Sequence, residues 1–486
     1  PLSQDTLRFI REHRRDDVRS LALQARRYPS VDMPAAITQI SGWQIAKEKI
    51  PAWAENEHIL YPPTFLWNNA PQATAQYKAE IITNLLHTEQ EHPAQDSTPH
   101  QPAPLPTSPE VGIDCAYLSS RFGHATYVER QETLCQIAAH NFPVLGLNHI
   151  SVCHADSVCH LQEMEPVDCI FIDPARRDGH GGKTVAIGDC EPDIAALEEL
   201  LLRKARHVLV KLSPMLDLTL ALNDLKHVRE AHIVSVGNEC KELLLLLGQG
   251  EGVPADDIPI HCVNFTGVPG SPSLVFTRRQ EKERACPYTP QLKSYLYEPN
   301  ASVLKAGAFR SLSSLYKVEK LHPNSHLYTS EHFLPDFPGR KFRITSSCGF
   351  GKKEVKEMLA AEKKANLTVR NFPATVAELR KRLKLAEGEA LISLPLFWQT
   401  EEGTYPLPGY GIRHQPLYLP LHEMYIYVAR DVHLIQSEMH ISCIFSISLP
   451  DDGKGRYRRK GTTSKNLCNL IVTESLSVLQ RSATST

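Results

Sequence analysis

"FIDPARRDGHGGKT", Phe171 to Thr184, decides the fold. An apolar run ending "DCIFID" breaks off at an acid, Asp173, and Pro174 stiffens the chain as it leaves that strand. Two adjacent arginines follow, Arg176 and Arg177, of the type that grips phosphate or carboxylate bidentately. Gly179, Gly181 and Gly182 then give a loop able to close over a substrate. On either side, short apolar strands alternate with amphipathic helices. "CAYLSSRF" reads as helix, "ATYVE" as strand, "QETLCQIAAHNFPVLG" as helix, and "ISVCHA" and "DCIFID" as strands. "DIAALEELLLRKA" is a helix, "HVLVKL" a strand, "TLALNDL" a helix, and "AHIVSVG" and "KELLLLLG" are strands. Such alternation predicts an α/β fold whose mostly parallel sheet is covered on both faces. The last two strands, separated by "NEC", read as an antiparallel hairpin on the sheet edge.

In open α/β sheets ligands bind beyond the carboxyl ends of the strands, so the polar residues there are the informative ones. "ATYVE" ends in Glu129, placed to accept both hydroxyls of a ribose. "ISVCHA" runs into Asp156 and Ser157, where an adenine amino group could be read. "DCIFID" ends in Asp173, and "HVLVKL" runs into Lys211-Leu212-Ser213-Pro214. One strand-end carboxylate is commonly a solvated turn or a helix cap. A run of them at consecutive strand ends points to a nucleoside site. The bland alternative for Arg176 and Arg177 is pairing with acids such as Asp178 or Glu191.

At 486 residues the chain is too long for one core, and a net charge of −2 gives no global field for nucleic acid, so any basic surface is local. The twelve cysteines show no CxxC pair and no signal peptide precedes them, which points to a reducing cytoplasm. No apolar run is long enough to span a bilayer. Pro1 stands where a methionine would, which points to a start further upstream. Cys153-His154 and Cys159-His160 look superficially like a metal site. Cys153 and His154 point to opposite faces of their strand, however, so no metal is expected.

The organisation along the chain follows. Residues 1–87 read as an N-terminal helical region, with cap signals opening "SQDTLRFIREH" and "DDVRSLALQARRYP". Residues 88–111 turn rich in Pro, His and Gln. The sheet domain spans 112–262, a small α+β unit 263–329 and another 330–388, and 389–486 lacks pattern. The run "RKRLK" holds Arg380, Lys381, Arg382 and Lys384, usually a solvated helix face. With Lys363, Lys364, Arg370 and Phe372 nearby, it also suits an RNA surface.

The pattern "YVER…HADS…FIDPARRD…KLSPMLDL" resembles the class I S-adenosylmethionine-dependent methyltransferases, and "ANLTVRNFPATVAELRKRLKL" resembles the C-terminal THUMP-like domain of one bacterial group of them. In that group a ferredoxin-like domain precedes it, here 263–329, with the THUMP-like domain at 330–388. The resemblance covers most of residues 1–388. It implies a Rossmann-like sheet with S-adenosylmethionine as cofactor, bound by Gly112, Asp114, Glu129, Asp156, Ser157 and Asp173. Asp173, Pro174, Arg176 and Arg177 would form the reactive loop. RNA would be the partner, with guanine N2 or another base nitrogen as acceptor, and no membrane.

The group carries "DLTGGFGID" where this chain keeps only Gly112, Ile113 and Asp114. Leu105 to Val111 can be encoded CTG CCG ACC TCA CCG GAG GTT, and read from the third base this gives Ala-Asp-Leu-Thr-Gly-Gly. "FLWNNAP" (Phe65 to Pro71) and "ISLPLFWQTEEG" (from Ile392) likewise yield family-like strings in another frame. The expectation is frameshifts near 64–72, within 88–111 and after 388, with a spurious or disordered tail in 389–486. Resequencing the gene tests this, and an intact frame refutes it. Two alternatives stand beside the enzyme. One is a non-catalytic RNA-binding protein on a degenerate methyltransferase scaffold. The other is a nicotinamide oxidoreductase, which Glu129 permits but the edge hairpin and the DPARR loop oppose.

Overall fold

The computed structural model describes residues 2–62, 71–91, 104–106, 112–176, 186–267, 270, 272–289, 291–349, 353, 357, 364–370, 375–384, 386–395, 398–400, 403–405 and 425–431. The N-terminal region folds as α1 (Gln4–His13), α2 (Val18–Leu23), α3 (Met33–Lys49) and α4 (Pro51–Ala54). Ser3, Asp17 and Asp32 cap the first three, each accepting a backbone N–H from the first turn. Phe9, Leu21, Met33, Ala36 and Ile40 form a small core of their own. A long helix, α5 (Gln72–Glu91), follows and lies against the sheet domain.

The sheet domain runs β1 (Pro104–Pro106), α6 (Ile113–Ser119), β2 (Ala125–Glu129), α7 (Glu132–Val144), β3 (Ile150–His154), α8 (Ser157–Glu163) and β4 (Val167–Ile172). It continues with β5 (Ala175–Arg176), β6 (Cys190–Glu191), α9 (Ile194–Lys204), β7 (Ala205–Leu212), α10 (Leu218–Asp224), β8 (Val228–Val236), β9 (Glu239–Gly248), β10 (Ile260–Phe265) and β11 (Leu274–Phe276). Strands β1, β2 and β3 pair in parallel, and β1 lies next to β4. From β4 the ladder continues β7, β9, β8, β10, β11. The spatial order is therefore β3-β2-β1-β4-β7-β9-β8-β10-β11, with β9 and β11 antiparallel to their neighbours.

The hairpin expected at the sheet edge is not there. Strand β9 is inserted between β7 and β8, while β10 and β11 extend the sheet beyond β8. Five consecutive leucines, Leu243 to Leu247, are at most 2% exposed. A strand apolar on both faces is safest where both faces are covered and both edges paired, and at a sheet edge one side would stay unpaired. The turn is Gly237-Asn238, with φ of 56° and 65° at the two residues. Two consecutive left-handed residues match the twist of a tight hairpin, which is why a Gly-Asn pair sits there.

Beyond the sheet domain lie α11 (Arg278–Glu283), β12 (Tyr295–Pro299), α12 (Ala301–Ala306), α13 (Phe309–Tyr316), β13 (Glu319–His322), β14 (Ser325–Ser330) and β15 (Gly339–Gly349). They are followed by β16 (Lys364–Arg370), α14 (Val376–Leu383), β17 (Ala386–Pro395), β18 (Trp398–Thr400), β19 (Gly403–Tyr405) and β20 (Tyr425–Asp431). One sheet joins them in the order β13-β14-β12-β15-β20-β17-β16. The region 389–486, read as patternless, thus supplies β20, which pairs with β15 and β17. "YIYVA" is aromatic and β-branched enough to fill such a slot. Among the described residues no helix is long and apolar enough to cross a membrane.

Candidate active site

Parallel pairing brings successive strand ends to one rim of the sheet, with Glu129 in register with His154 and Ile172 with Val210. Glu129, Asp156, Ser157 and Asp173 therefore line a single cleft. Its remaining wall includes Arg130, Gln131, Ala175, Glu191 and Pro192. The last two arrive because β5 and β6 pair antiparallel, Ala175 opposite Glu191. Gly179, Gly181 and Gly182 lie outside the described residues.

Each acid is held differently. Glu129 is 4% exposed, and its Oε1 accepts the Gln131 backbone N–H at 2.8 Å. A carboxylate oriented by a backbone amide at the end of β2 keeps a second oxygen for a ligand hydroxyl. Asp156 caps α8, its Oδ1 accepting the Val158 and Cys159 amides at 3.0 Å each. Those amides, Cys159 foremost, hold its carboxyl below the usual range. Cap and cleft wall are thus the same residue, with Oδ1 given to the helix. The exposed Glu191 pairs with Arg130 at 3.5 Å, so the partner suggested for Arg176 or Arg177 is engaged by another arginine.

Behind Asp173 runs a chain of buried charges absent from the sequence reading. Lys211 Nζ lies 2.8 Å from Asp173 Oδ2 and 3.4 Å from Asp114 Oδ2. Lys78 Nζ, on α5, sits 3.0 Å from Asp114 Oδ1 and 2.7 Å from both oxygens of Glu242. Thr74 donates to Glu242 at 3.0 Å. The Lys78–Asp114 contact has ion-pair distance without hydrogen-bond alignment, since Asp114 Oδ1 has no hydrogen-bond partner. Burial alone would raise the Asp114 carboxyl, but Lys78 and Lys211 together hold it below the ordinary value. Burial would likewise lower Lys78, yet Asp114 and Glu242 keep it raised. Signs alternate along the chain of contacts, which is what makes so many buried charges tolerable.

Other residues singled out in the sequence fall elsewhere. Gly112 is the N-cap of α6 at φ 70°, and a Cβ there would meet Phe142 Cζ at 2.6 Å. Neither Gly112 nor Asp114 is among the residues lining the cleft. Pro174 is buried and is not among the residues lining the cleft. Arg176 belongs to β5, but its side chain lies outside the described residues, as do Arg177, Lys363 and Phe372 entirely. Lys364 and Arg370 lie on β16, their side chains also outside the description. Lys381, Arg382 and Lys384 are exposed at the end of α14 and Arg380 half-buried, while Leu379 anchors that helix. Cys153 Sγ stands 3.8 Å from His160 Nδ1.

The strand order and the cleft at the strand tips define a Rossmann-like class I methyltransferase fold. Residues 295–338 match the model of a ferredoxin-like domain and residues 339–395 that of a THUMP domain-like family. The chain is 28% identical to the solved "putative methyltransferase from Porphyromonas gingivalis W83", covering 88% of this chain and 97% of that one at a TM-score of 0.70. It also resembles the Bacillus subtilis M1A22 tRNA methyltransferase TrmK (16% identity, 38% and 69% of the two chains, TM-score 0.27). TrmK from M. capricolum, solved with S-adenosyl-homocysteine, is similar at 12% identity (31% and 64%, TM-score 0.25). These two likenesses are too slight to bear on function. No curated protein matches the chain.

Proposed function

We propose that the protein is an S-adenosylmethionine-dependent methyltransferase acting on RNA, with guanine N2 or another base nitrogen as acceptor. The observation that carries the reading is that Glu129, Asp156 and Asp173, from three strand ends, line one cleft. Its fit to the cofactor is chemical. Carboxylates at the wall attract the cationic sulfonium and ammonium of this donor and repel the pyrophosphate of a nicotinamide dinucleotide. Glu129 would take the ribose hydroxyls and Asp156 the adenine amino group. Asp173 would face the methionine end, its orientation fixed by Lys211.

When bound, the cofactor supplies a methyl group on positively charged sulfur. The protein's contribution is alignment for in-line displacement, which needs little covalent help. Asp173 would accept a hydrogen bond from an acceptor amine and orient its lone pair. Arg176 and Arg177 would hold substrate phosphate, and the basic end of α14 together with Lys363, Lys364, Arg370 and Phe372 would contact RNA. The THUMP-like match supports the RNA assignment, and the likeness to the P. gingivalis protein supports methyl transfer. Calorimetry with S-adenosylmethionine tests the cofactor: binding that Glu129→Ala weakens supports it. Mass spectrometry of nucleosides from a deletion strain tests the acceptor, since no missing methylated nucleoside removes RNA.

A second reading is a non-catalytic RNA-binding protein on a degenerate methyltransferase scaffold. It is favoured by β1, whose Pro104 and Pro106 have no N–H to direct at a ligand. No cofactor binding at millimolar concentration, with RNA binding retained, selects it.

A further inference from the structure

Three donor side chains converge far from the cleft. Glu230 and His232 stand two residues apart on β8 and so share one face of the sheet. His261 on β10 is the direct register partner of His232 across a parallel ladder. The two imidazoles stack with centroids 4.5 Å apart and planes 20° apart. Glu230 Oε2 lies 3.3 Å from His232 Nε2 and 3.6 Å from His261 Nε2, and one donor atom of each residue falls within 4.8 Å of the others. His232 is 3% exposed, and its Nε2 has no hydrogen-bond partner, because the nearby carboxylate does not meet it in line. Its other nitrogen, Nδ1, is 2.9 Å from the Tyr77 hydroxyl on α5.

We propose that Glu230, His232 and His261 form a binding site for a divalent transition-metal ion, zinc by its ligand set. Four ligands about 2.0–2.1 Å from a tetrahedral zinc stand roughly 3.4 Å apart, and the two Glu–His separations fall on either side of that. With Nδ1–H donating to the Tyr77 hydroxyl oxygen, His232 leaves its Nε2 lone pair for the ion, and because the rings stack 20° apart, binding swings the partly exposed His261 until the two lone pairs converge. That hydrogen bond fixes the ring as an outer partner of a metal-bound histidine does. Two imidazoles and one carboxylate suit zinc and its neighbours rather than magnesium or calcium. His261 and Glu230 are partly exposed, at 28% and 39% of their side chains, so the site opens outward and leaves a position for water. A bound ion would tie β8 to β10. The site lies on other strands than the methyl-donor cleft and stands or falls apart from it.

The test is zinc titration of the full, chelator-stripped chain by competition with a fluorescent zinc indicator. X-ray absorption then reports on the bound ion. Binding of one zinc with imidazole scattering, weakened at least ~10-fold in His261→Ala and in Glu230→Gln, is expected. Binding should persist in Cys153→Ser, whose thiol near His160 is the competing explanation. His261 is partly exposed and its variant keeps the fold, which circular dichroism checks. Absence of micromolar zinc binding, or binding unchanged in His261→Ala, overturns the site.

Discussion

Lys211 Nζ stands 2.8 Å from Asp173 Oδ2, so the acid at the head of the DPARR loop is oriented from within the sheet. Lys211 is itself 7% exposed and shared with Asp114. Removing it takes away the partner of Asp173 and leaves Asp114 with Lys78 alone. Lys211→Met should destabilise the protein by about 3–5 kcal/mol, the cost of breaking a buried pair by deleting one partner. Lys211→Arg should recover part of the loss. Urea unfolding of the three proteins measures this, and an unchanged midpoint for Lys211→Met would show the contact to be idle.

The same network sets a pH window. The Asp114 carboxyl is depressed in the folded state, so its contribution is present above the unfolded value near ~3.9 and is lost as pH falls through the folded one. Lys78 is raised, so its contribution is whole below ~10.4 and is lost as pH climbs through its folded value. Stability should therefore run level between those limits as far as this network is concerned. A Lys78→Met, Glu242→Gln, Asp114→Asn protein should lose the drop at both ends, as read from melting temperature against pH.

Asp156 separates two duties by substitution. Asn caps a helix as well as Asp does, whereas Ala costs ~1 kcal/mol. Asp156→Asn should melt like the parent and Asp156→Ala a few degrees lower. If Asp156 also reads an amino group, both should weaken cofactor binding in calorimetry. Unaltered binding in both confines Asp156 to capping.

Gly112→Ala places a methyl against Phe142 at a backbone angle that side chains resist. A loss of about 1–3 kcal/mol is expected, seen as a lower denaturation midpoint.

For the basic helix, Lys381→Glu with Arg382→Glu should weaken RNA binding and flatten its dependence on salt by roughly one unit of slope per lost phosphate contact. An unchanged slope in filter binding at several salt concentrations would move the RNA surface elsewhere.

Much of the sheet was legible because its signal is local. "ATYVE" reads as Ala125–Glu129 and "DCIFID" as most of Val167–Ile172, since apolar runs and their terminal acids lie within a few residues. What could not be read is long-range. Lys78 and Glu242 are separated by 164 positions, and nothing in either neighbourhood announces the other. Lys211 was seen as a strand end but not as the partner of Asp173. The short helix Ser157–Glu163 hid behind a strand-like "SVCH". Glu230, His232 and His261 carry no ligand spacing along the chain, because a parallel ladder brings the second histidine alongside the first. The placement of β9 inside the sheet needed the knowledge that five buried leucines cannot sit at a margin.

The Gly237-Asn238 turn has a reach beyond its own hairpin. Asn238 Oδ1 accepts the Ala301 backbone N–H at 2.8 Å, at the start of α12, and Lys305 from the same helix donates to the Leu216 carbonyl at 2.8 Å. Two bonds thus fasten the first helix of the ferredoxin-like domain to the sheet domain.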